Sequence, residues 1–328
     1  MEQEMLKNWQ ALWKASNGSL AQSPEWLTFR ESLDKRLIFV TVAESGCLEA
    51  GICFFEETLT LAGIRKKTLI AYGTPLFTSE QALNSLKKEI EMKAKKYFYI
   101  IIRTEETNQR LSEKWTTTLN HTIHIDLTKS EADLLKQCEK KSIRWGIGYA
   151  QRQGLTFQEA LPSDVSPFFE LYKQTAQRGN FHATTLNYLT PLRAKPYSRL
   201  FVVKQKGKLV AGGLVLINDS RKTALLDLTS ASDEGLKLQA MPFLYWNMML
   251  WAKEQGMQIF DLGGYDAQAK LGEKTYAINQ YKERFGGKIV ELPIYSPTRR
   301  YRQFRWLHTR FRTLRKLYTK ESDTSSEN

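Results

Sequence analysis

The 328-residue chain predicts an α/β fold of the α+β kind, with two tandem domains that each form a mixed, mostly antiparallel sheet flanked by helices. The length is roughly twice that of a typical domain, which favours two domains. One order of strand and helix signals also occurs twice along the chain. With 42% hydrophobic and 25% charged residues, the composition is that of an ordinary globular protein and excludes disordered and fibrous classes.

The repeat is most specific at a G-x-L-x-A-G turn, which occurs at residues 46–51 and again 161 residues later at 207–212. A helix ending in Ala-Lys follows in each copy, at Ala94 and, 158 residues further on, at Ala252. Alternating or β-branched runs bounded by glycine and Asn or Asp predict antiparallel strands, and the final helix-to-strand step predicts a parallel addition. We therefore expect the order β-β-β-α-β, preceded by helices, in both domains.

Helices are predicted between the two copies. The first begins at Ser130, a candidate N-cap, and stops at Gly154, and a second helix follows it. Boundaries placed around this region give a first domain of residues 1–128, completed by a C-terminal helix at 296–328, and a second domain of residues 129–295.

The formal net charge of +13 is unevenly distributed. Residues 296–328 hold nine bases and three acids, so this tail contributes +6. Its apolar residues recur at steps of three and four, at Tyr301, Phe304, Leu307, Phe311, Leu314 and Leu317. This spacing predicts an amphipathic helix, which either packs on the domain or lies on an anionic membrane or RNA. A docked helix can still present its basic face.

The remaining motifs exclude several chemistries. Neither a G-x-S-x-G elbow, nor a phosphate-binding loop, nor a dinucleotide fingerprint occurs. His121 and His124 lie in a segment that alternates like a strand, so they face opposite ways and no metal site is expected. Three cysteines without paired spacing, and an N-terminus without a signal-peptide pattern, lead us to expect a cytoplasmic protein.

The β-β-β-α-β order resembles that of GNAT-type acyltransferases, which hold coenzyme A pyrophosphate on a [QR]-x-x-G-x-[GA] turn at a helix start. That place falls at residues 72–83 in the first copy and 230–241 in the second, and neither matches the turn. Gln151 and Gly154 supply half of the pattern, but at a helix end, where the helix dipole disfavours phosphate. The sequence therefore gives a coenzyme A site little support.

Six segments spread over nearly the whole chain together resemble the FemABX family of peptidoglycan aminoacyltransferases. They are QSPEW (22–26), KKSIRWGIGYAQRQGLTF (140–157), LYKQTAQRGNF (171–181), GKLVAGGLVL (207–216), WAKEQGMQIFDLGG (251–264) and INQYKERFGG (278–287). Members of this family are tandem GNAT-like proteins that transfer an amino acid from aminoacyl-tRNA to the stem peptide of a cell-wall precursor. Residues 200–240 consist of short predicted strands, so the chain resembles the compact form, without the coiled-coil arm of some members.

The resemblance implies roles for particular residues. Arg30, where lysine is more usual, and Arg178 match the basic residues that bind the precursor diphosphate. Tyr172 lies six residues before Arg178 and is a further candidate substrate contact. Lys282 matches the lysine near the aminoacyl ester or the tRNA end, and Tyr281 takes the place of the preceding phenylalanine. A guanidinium binds phosphate oxygens bidentately, and an ammonium can stabilise the oxyanion of a reacting ester.

The chemistry that the resemblance implies is aminolysis, in which a precursor amine attacks the ester carbonyl and the tRNA hydroxyl leaves. This reaction requires no covalent enzyme intermediate and no cofactor, since aminoacyl-tRNA is a co-substrate. Glu105, Glu106 and Asp261 follow predicted strands and are candidate bases or substrate contacts on position alone.

We therefore predict a monomeric aminoacyltransferase that acts on UDP-MurNAc-pentapeptide or lipid II in cell-wall cross-bridge synthesis. Residues 299–320 would form a peripheral contact with the inner, cytoplasmic face of the membrane. The alternative is a coenzyme A-dependent N-acyltransferase of an amino sugar or a cell-envelope polysaccharide precursor. A third hypothesis is a non-catalytic protein that binds nucleic acid or membrane through its basic tail.

Overall fold

A computed structural model describes residues 3–61, 64–105, 111–179, 181 and 183–304. Its helices are α1 (Gln3–Ala15), α2 (Pro24–Glu31), α3 (Glu80–Ala94), α4 (Glu131–Gln137), α5 (Trp145–Arg152), α6 (Val165–Gly179), α7 (Leu186–Arg193), α8 (Asp233–Lys237), α9 (Ala240–Glu254) and α10 (Lys274–Glu283). Its strands are β1 (Leu37–Glu44), β2 (Cys47–Leu61), β3 (Ile64–Tyr72), β4 (Leu76–Phe77), β5 (Ile100–Arg103), β6 (Thr116–Asp126), β7 (Leu155–Glu159), β8 (Ser198–Gln205), β9 (Lys208–Asn218), β10 (Thr223–Ala231), β11 (Ile259–Asp261) and β12 (Lys288–Ser296).

The chain divides into two compact units. The first unit is formed by Met1–Leu119 and Leu292–Asn328, and the second unit by Asn120–Glu291. The chain passes from one unit to the other inside β6 and again inside β12. The predicted boundaries, at 128/129 and 295/296, lie nine and four residues further along the chain.

The first unit is built on a sheet with the strand order β1-β2-β3-β5-β12. β3 and β5 are parallel, the other neighbours are antiparallel, and the short β4 pairs with β2. α3 contributes Leu83, Leu86 and Ile90 to one buried cluster, while α1 and α2 contribute Trp9 and Leu27 to another. β2 supplies residues to both clusters because alternate side chains of a strand point to opposite faces.

The edge of β5 is closed by residues from the far end of the chain. The Thr104 amide donates to the Pro293 carbonyl (3.1 Å), and the Ser296 hydroxyl donates to the Ile100 carbonyl (2.7 Å). Because β12 supplies these bonds, the sheet of the first unit needs a strand that is encoded after the whole second unit.

The second unit has the strand order β6-β11-β10-β9-β8-β7, in which β10 and β11 are parallel and the other neighbours antiparallel. α5 and α9 contribute Ile147, Leu244 and Met248 to the buried cluster on one face, and α6 packs against β9 and β10. Both units thus confirm the predicted order β-β-β-α-β with a parallel last strand, as β1-β2-β3-α3-β5 and β8-β9-β10-α9-β11. The short β4 and α8 are inserted before the helix of each copy, and β6, β7 and β12 lie outside the repeat.

The duplication extends to the backbone of the G-x-L-x-A-G hairpins. Ser45 and Gly46 join β1 to β2 with φ of 51° and 84°, and Lys206 and Gly207 join β8 to β9 with φ of 48° and 81°. Two successive positive φ values are typical of a type I′ turn, whose twist matches that of the flanking strands. The two hairpins therefore share one geometry, although only the glycine is common to both.

The second glycine of the motif has the same structural reason in both units. A Cβ atom at Gly51 would lie 2.6 Å from the ring of Trp9 in α1, and one at Gly212 would lie 2.6 Å from the ring of Phe168 in α6. In each unit, an aromatic side chain from a preceding helix packs directly on the strand because no Cβ is in the way.

The helix predicted from Ser130 to Gly154 is wrong as one continuous element. Ser130 does cap α4, since its hydroxyl accepts from the Asp133 amide at 3.1 Å, but α4 ends at Gln137. Cys138 has extended backbone, with φ −66° and ψ 142°, and a π-helical turn over Lys140–Arg144 leads into α5. The physical reason is a tertiary contact, described below, which holds residues 138 and 139 against the end of α10.

The predicted C-terminal amphipathic helix begins at residue 299 and is described only to residue 304. Tyr301 is buried, and the rings of Tyr301 and Phe304 lie 5.4 and 5.6 Å from that of Tyr99. The first turn of the predicted stripe is therefore docked on the first unit, while residues 305–328 lie outside the described part. None of the helices among the described residues has the length and apolar character that a membrane crossing requires.

Candidate active site

The parallel strands β10 and β11 separate at their carboxyl ends. Their pairing stops where Leu225 lies opposite Asp261, whereas β10 continues for six residues to Ala231. A register irregularity at Asp227 bends β10 at the same point, and the chain after β11 turns towards β6, where the Leu262 amide donates to a carbonyl at 2.9 Å. Ligands of open α/β sheets bind where strands diverge at their carboxyl ends, so this opening is the candidate site.

Lys282, near the end of α10, reaches the turn that follows β11. Its Nζ donates to the carbonyls of Gly263 (3.0 Å) and Gly264 (2.8 Å). Burial lowers the pKa of Lys282 to about 8, and the nearby charge of Asp261 acts in the opposite direction. Because an ammonium has three donors, one N–H remains for a ligand in the opening.

Asp261 organises this turn with both of its carboxylate oxygens. Oδ1 accepts from the Gly263 amide at 2.7 Å and from the Thr122 hydroxyl. Oδ2 lies 3.3 Å from His124 Nε2. Thr122 and His124 both come from β6, which pairs antiparallel with β11. With both oxygens engaged, Asp261 is a positioning group for the turn and for the Lys282 charge.

Tyr281 lies in an aromatic cluster beneath Lys282. Its ring meets those of Tyr245 and Phe285 edge to face, with centroids 5.6 and 5.5 Å away. Its hydroxyl is buried and has no hydrogen-bond partner among the described residues. Burial raises the pKa of Tyr281 well above its usual value, so the hydroxyl stays protonated. These contacts pack the Tyr281 ring against the core of the second unit at the end of α10.

Arg178 lies at the end of α6, against the start of α8. Its guanidinium pairs with the Asp233 carboxylate and donates to the Ala231 carbonyl (2.6 Å) and the Thr175 hydroxyl (3.1 Å). The backbone carbonyl of Arg178 in turn accepts a hydrogen bond from Lys274, the first residue of α10. Arg178 is therefore fixed at the edge of the opening, where β10 ends.

α10 spans the candidate site from one basic residue to the other. Lys274 is bonded to Arg178, and Lys282, eight residues later, is bonded to the turn after β11. Eight residues of α-helix correspond to about 12 Å. The Cα atoms of Lys274 and Lys282 are thus roughly that far apart, and α10 links the residue bonded to the Arg178 backbone to the residue that reaches the turn after β11.

Tyr172 is buried on α6, between the rings of Phe168 (6.3 Å) and Phe181 (6.0 Å). Burial raises the pKa of Tyr172, and the Asp227 carboxylate acts in the same direction. Asp227 lies at the irregularity of β10, so its charge acts on Tyr172 from the strand that borders the opening.

Arg30 lies in the first unit, on α2. Its guanidinium carbon is 4.8 Å from the ring centroid of Phe55, and that of Arg103, at the end of β5, is 5.5 Å from the centroid of Tyr72. The Phe55 and Tyr72 rings are themselves 5.9 Å apart. Both arginines have a buried Nε without a hydrogen-bond partner among the described residues. Two guanidiniums therefore flank one pair of aromatic rings.

Of the predicted residues, Asp261 and Lys282 meet at the turn after β11, Arg178 lies where β10 ends, and Tyr172 lies on the same helix as Arg178. Arg30 forms a separate cationic cluster in the first unit, and Glu106 lies outside the described residues. Thr122 and Arg103 were not predicted, because their importance arises from strand pairing. The only signal in the sequence is a polar residue at the end or middle of an otherwise apolar strand.

The start of α8, where a GNAT enzyme would hold pyrophosphate, is occupied by acidic side chains. Asp233 pairs with Arg178, and Glu234 pairs with Lys208 at 2.7 Å. The Ser232 hydroxyl accepts from the Gly235 amide at 2.9 Å, so this amide is already bonded. Carboxylates in a first helical turn oppose an anionic ligand there.

Comparison with known proteins supports the fold. The acetyltransferase (GNAT) domain family matches residues 139–283. The crystal structure of FemX superposes with a TM-score of 0.70 at 14% identity, covering 92% of this chain and 98% of that one. L-PGS from Bacillus licheniformis gives 0.59 at 17% identity, with 90% and 92% covered. No curated protein sequence matches the chain.

A third solved structure is the C-terminal domain of an Agrobacterium fabrum protein described as a lysylphosphatidylglycerol synthetase. It has a TM-score of 0.59 at 16% identity and covers 90% of this chain and 92% of its own. At these identities the likeness concerns the fold. The chain therefore has a FemX-like GNAT fold, and the GNAT domain lies in its second unit.

Proposed function

We propose that the protein is an aminoacyltransferase that moves an amino acid from aminoacyl-tRNA to an amine of a peptidoglycan precursor. The observation that carries the proposal is the placement of Lys282 at the opening between β10 and β11. Two carbonyl groups accept hydrogen bonds from its ammonium, and the charge of Asp261 raises its pKa. One N–H donor is left for a substrate.

In the proposed reaction, the precursor amine forms a bond to the ester carbonyl carbon, and the carbonyl oxygen gains negative charge. The remaining N–H of Lys282 donates to that oxygen, which stabilises the tetrahedral intermediate. The bond between the carbonyl carbon and the ribose oxygen then breaks, and the proton lost by the attacking nitrogen ends on the ribose hydroxyl. Holding amine and ester together supplies much of the remaining acceleration.

Arg178 supports an anionic acceptor in this proposal. Its guanidinium is preorganised by Asp233 and Thr175, and its backbone carbonyl is bonded to Lys274 at the start of the helix that carries Lys282. A diphosphate at Arg178 would leave the stem peptide to extend towards the ester. The acidic start of α8 disfavours the alternative of a coenzyme A-dependent acyltransferase.

A second candidate acceptor is a lipid headgroup. It is favoured by the likeness to the two structures named L-PGS and lysylphosphatidylglycerol synthetase, which resemble this chain over 90% of its length. Both candidates use the same donor and the same Lys282 chemistry, and they differ only in the hydroxyl or amine that attacks.

The test combines the purified chain with a mixture of charged tRNAs and one acceptor at a time. The acceptors are UDP-MurNAc-pentapeptide, lipid II and phosphatidylglycerol vesicles, and a separate reaction supplies acetyl-coenzyme A as donor. Mass spectrometry should detect one added amino acid on the peptidoglycan precursor. Lys282→Met should abolish the mass gain, while Lys237→Met, which alters an exposed lysine of α8, should retain it.

A mass gain only on phosphatidylglycerol would assign the lipid as acceptor. A gain only from acetyl-coenzyme A would overturn the proposal and favour the acyltransferase alternative.

A further inference from the structure

A basic and aromatic surface on α5 and the turn before it has no role in the site described above. Trp145 is 49% exposed, and its ring stacks on that of Tyr149 with centroids 5.1 Å apart and planes 20° from parallel. The two stacked rings form one continuous, partly exposed aromatic face, and contiguous exposed apolar area is typical of contact sites. This surface comprises Lys140, Lys141, Arg144, Trp145, Tyr149 and Arg152.

The opposite face of the segment accounts for its folding. Ile143, Gly146, Ile147 and Ala150 are buried, and a Cβ at Gly146 would lie 3.1 Å from the Pro242 ring of α9. Since these residues fill one side of the helix, Lys140, Lys141, Trp145 and Arg152 are exposed on the other. Arg144 and Tyr149 are half-buried at its border, and the Arg144 Nε is buried without a hydrogen-bond partner among the described residues. Packing of α5 therefore does not need the basic and aromatic residues.

The charge of this surface is uncompensated. No acidic residue occurs from position 140 to position 158 of the sequence. None of its four cations forms an ion pair with the described residues. The nearest carboxylate in the sequence, Glu139, is paired with Arg284 at 3.4 Å. Four unpaired cations around two stacked rings match the groups that bind nucleic-acid phosphates and bases.

The surface begins next to the candidate active site. The Glu139 amide donates to the Arg284 carbonyl at 2.8 Å, and the Cys138 thiol lies against the Phe285 carbonyl at 3.7 Å. Arg284 is two residues beyond Lys282. This contact is also what interrupts the predicted helix at residue 138, so the break joins the basic segment to the end of α10.

We propose that this α5 surface binds the acceptor arm of tRNA, with Trp145 and Tyr149 stacking on an unpaired base or the end of a stem and the four cations contacting phosphates. The inference rests on the proposed function, since it assigns a binding surface to the tRNA donor. The surface starts beside the helix that carries Lys282, so an RNA held along it would deliver its 3′ end to the opening.

The experiment measures binding of a total bacterial tRNA mixture by filter retention over a range of salt concentrations. Trp145→Ala should weaken binding roughly 10-fold, and Trp145→Phe, which keeps a flat ring, should restore most of the affinity. In the double variant Lys141→Ala with Arg152→Ala, the slope of log affinity against log salt concentration should become shallower by about two, one for each lost phosphate contact. The matched control replaces Lys95 and Lys96, two exposed lysines of the first unit, and should bind as the parent does.

Equal tRNA affinity and salt slope in the surface variants and the control pair would overturn the inference. Loss of binding to phosphatidylglycerol vesicles, with tRNA binding intact, would also overturn it by assigning the surface to a membrane. Circular dichroism checks the fold of each variant. Transfer is measured separately on the unaltered chain. If that chain binds tRNA through this surface but transfers no amino acid, the proposed function is wrong and the assignment of the binding surface stands.

Discussion

The parallel strand pairs of the two units end in residues of opposite charge. The pairing of β3 with β5 ends with Tyr72 opposite Arg103, whereas the pairing of β10 with β11 ends with Leu225 opposite Asp261. Arg103 and Asp261 are 158 residues apart, the same offset as the two Ala-Lys helix ends, so they are equivalent positions of the duplication. Around Arg103 lie a second arginine and two aromatic rings, and around Asp261 lie hydrogen-bond donors and one lysine.

Under the proposed function, this difference would give the strand end of the first unit a part in anion binding, along with Arg178, and that of the second unit the reaction. A guanidinium keeps its charge and presents fixed donors, which suits recognition of an anion. A lysine changes its protonation when it is buried, which suits a reacting centre. The duplication therefore keeps the hairpin, the glycine contacts and the strand order, and it changes the residues at the strand ends.

The largest expected effect follows from removal of the cation in the second unit. Lys282→Met should reduce transfer at least 100-fold, because an oxyanion donor is worth that much in other enzymes. The measurement is transfer of a radiolabelled amino acid to the precursor under single-turnover conditions. Lys282→Arg should remain impaired, since a planar guanidinium cannot reproduce the two bonds to the glycine carbonyls.

The same variant should retain its fold. Because the pKa of Lys282 falls from 10.5 to about 8 on folding, the unfolded chain binds more protons between these values. The free energy of unfolding of the parent should therefore increase between pH 8 and 10.5 relative to that of Lys282→Met. Urea unfolding of both chains at several pH values measures this difference. If the free energies of unfolding of the two chains depend on pH in the same way, burial does not lower the pKa of Lys282.

The second effect concerns pH and Asp261. Transfer should decline as pH rises through about 8, because Lys282 then loses the proton that stabilises the oxyanion. Asp261→Asn removes the carboxylate that raises the Lys282 pKa, so the decline should move to lower pH, with a rate loss of roughly 10-fold at pH 7.5. A pH–rate profile of the parent and of Asp261→Asn tests this. If the rate of both chains declines at the same pH, Asp261 does not set the pKa of Lys282.

The third effect concerns the two arginines of the first unit and the KM for the precursor. Arg30→Ala and Arg103→Ala should each raise the KM for the precursor about 10-fold, because a charge-assisted contact to an anion is lost. The value of kcat should stay within about twofold, since neither residue belongs to the unit that holds Lys282. Arg65→Ala, at an exposed position of β3, is the control. A loss confined to kcat would contradict the division into binding and chemistry.

The smallest effect is expected at Tyr281. Tyr281→Phe removes a buried hydroxyl that has no partner among the described residues, so the free energy of unfolding should rise by about 1 kcal/mol. Transfer should change by less than about threefold, because the ring contacts with Tyr245 and Phe285 remain. Thermal unfolding and the transfer assay measure the two quantities. A large loss of transfer rate would instead indicate that the Tyr281 hydroxyl takes part in the reaction.

Much of the fold could be predicted from the sequence because its signals are local. The type I′ hairpins follow from the G-x-L-x-A-G turns, and the Ser130 cap follows from one side chain. The break after Gln137 could not be predicted, since it depends on a hydrogen bond between Glu139 and Arg284, which are far apart in the chain. Tertiary contacts of this kind override local helix propensity.

The candidate site was predictable in part for the same reason. Lys282 and Arg178 were identified through a resemblance of motifs, which carries residue positions but no geometry. The bonds from Thr122 and His124 to Asp261 depend on the register of β6 against β11, and a register is set by the packing of the whole sheet. The pairing of Arg103 with Tyr72 has the same origin.

The path of the chain through the first unit bears on its synthesis. The second unit is one continuous stretch, Asn120–Glu291, and can complete its sheet before β12 has been made in full. The first unit has to wait, because Thr104 bonds to Pro293, 189 residues later. At 5–20 residues per second, that wait is roughly 10–40 s. The unit that is translated second therefore matures first, and the nascent first unit meanwhile offers the open edge of β5 to chaperones or to other chains.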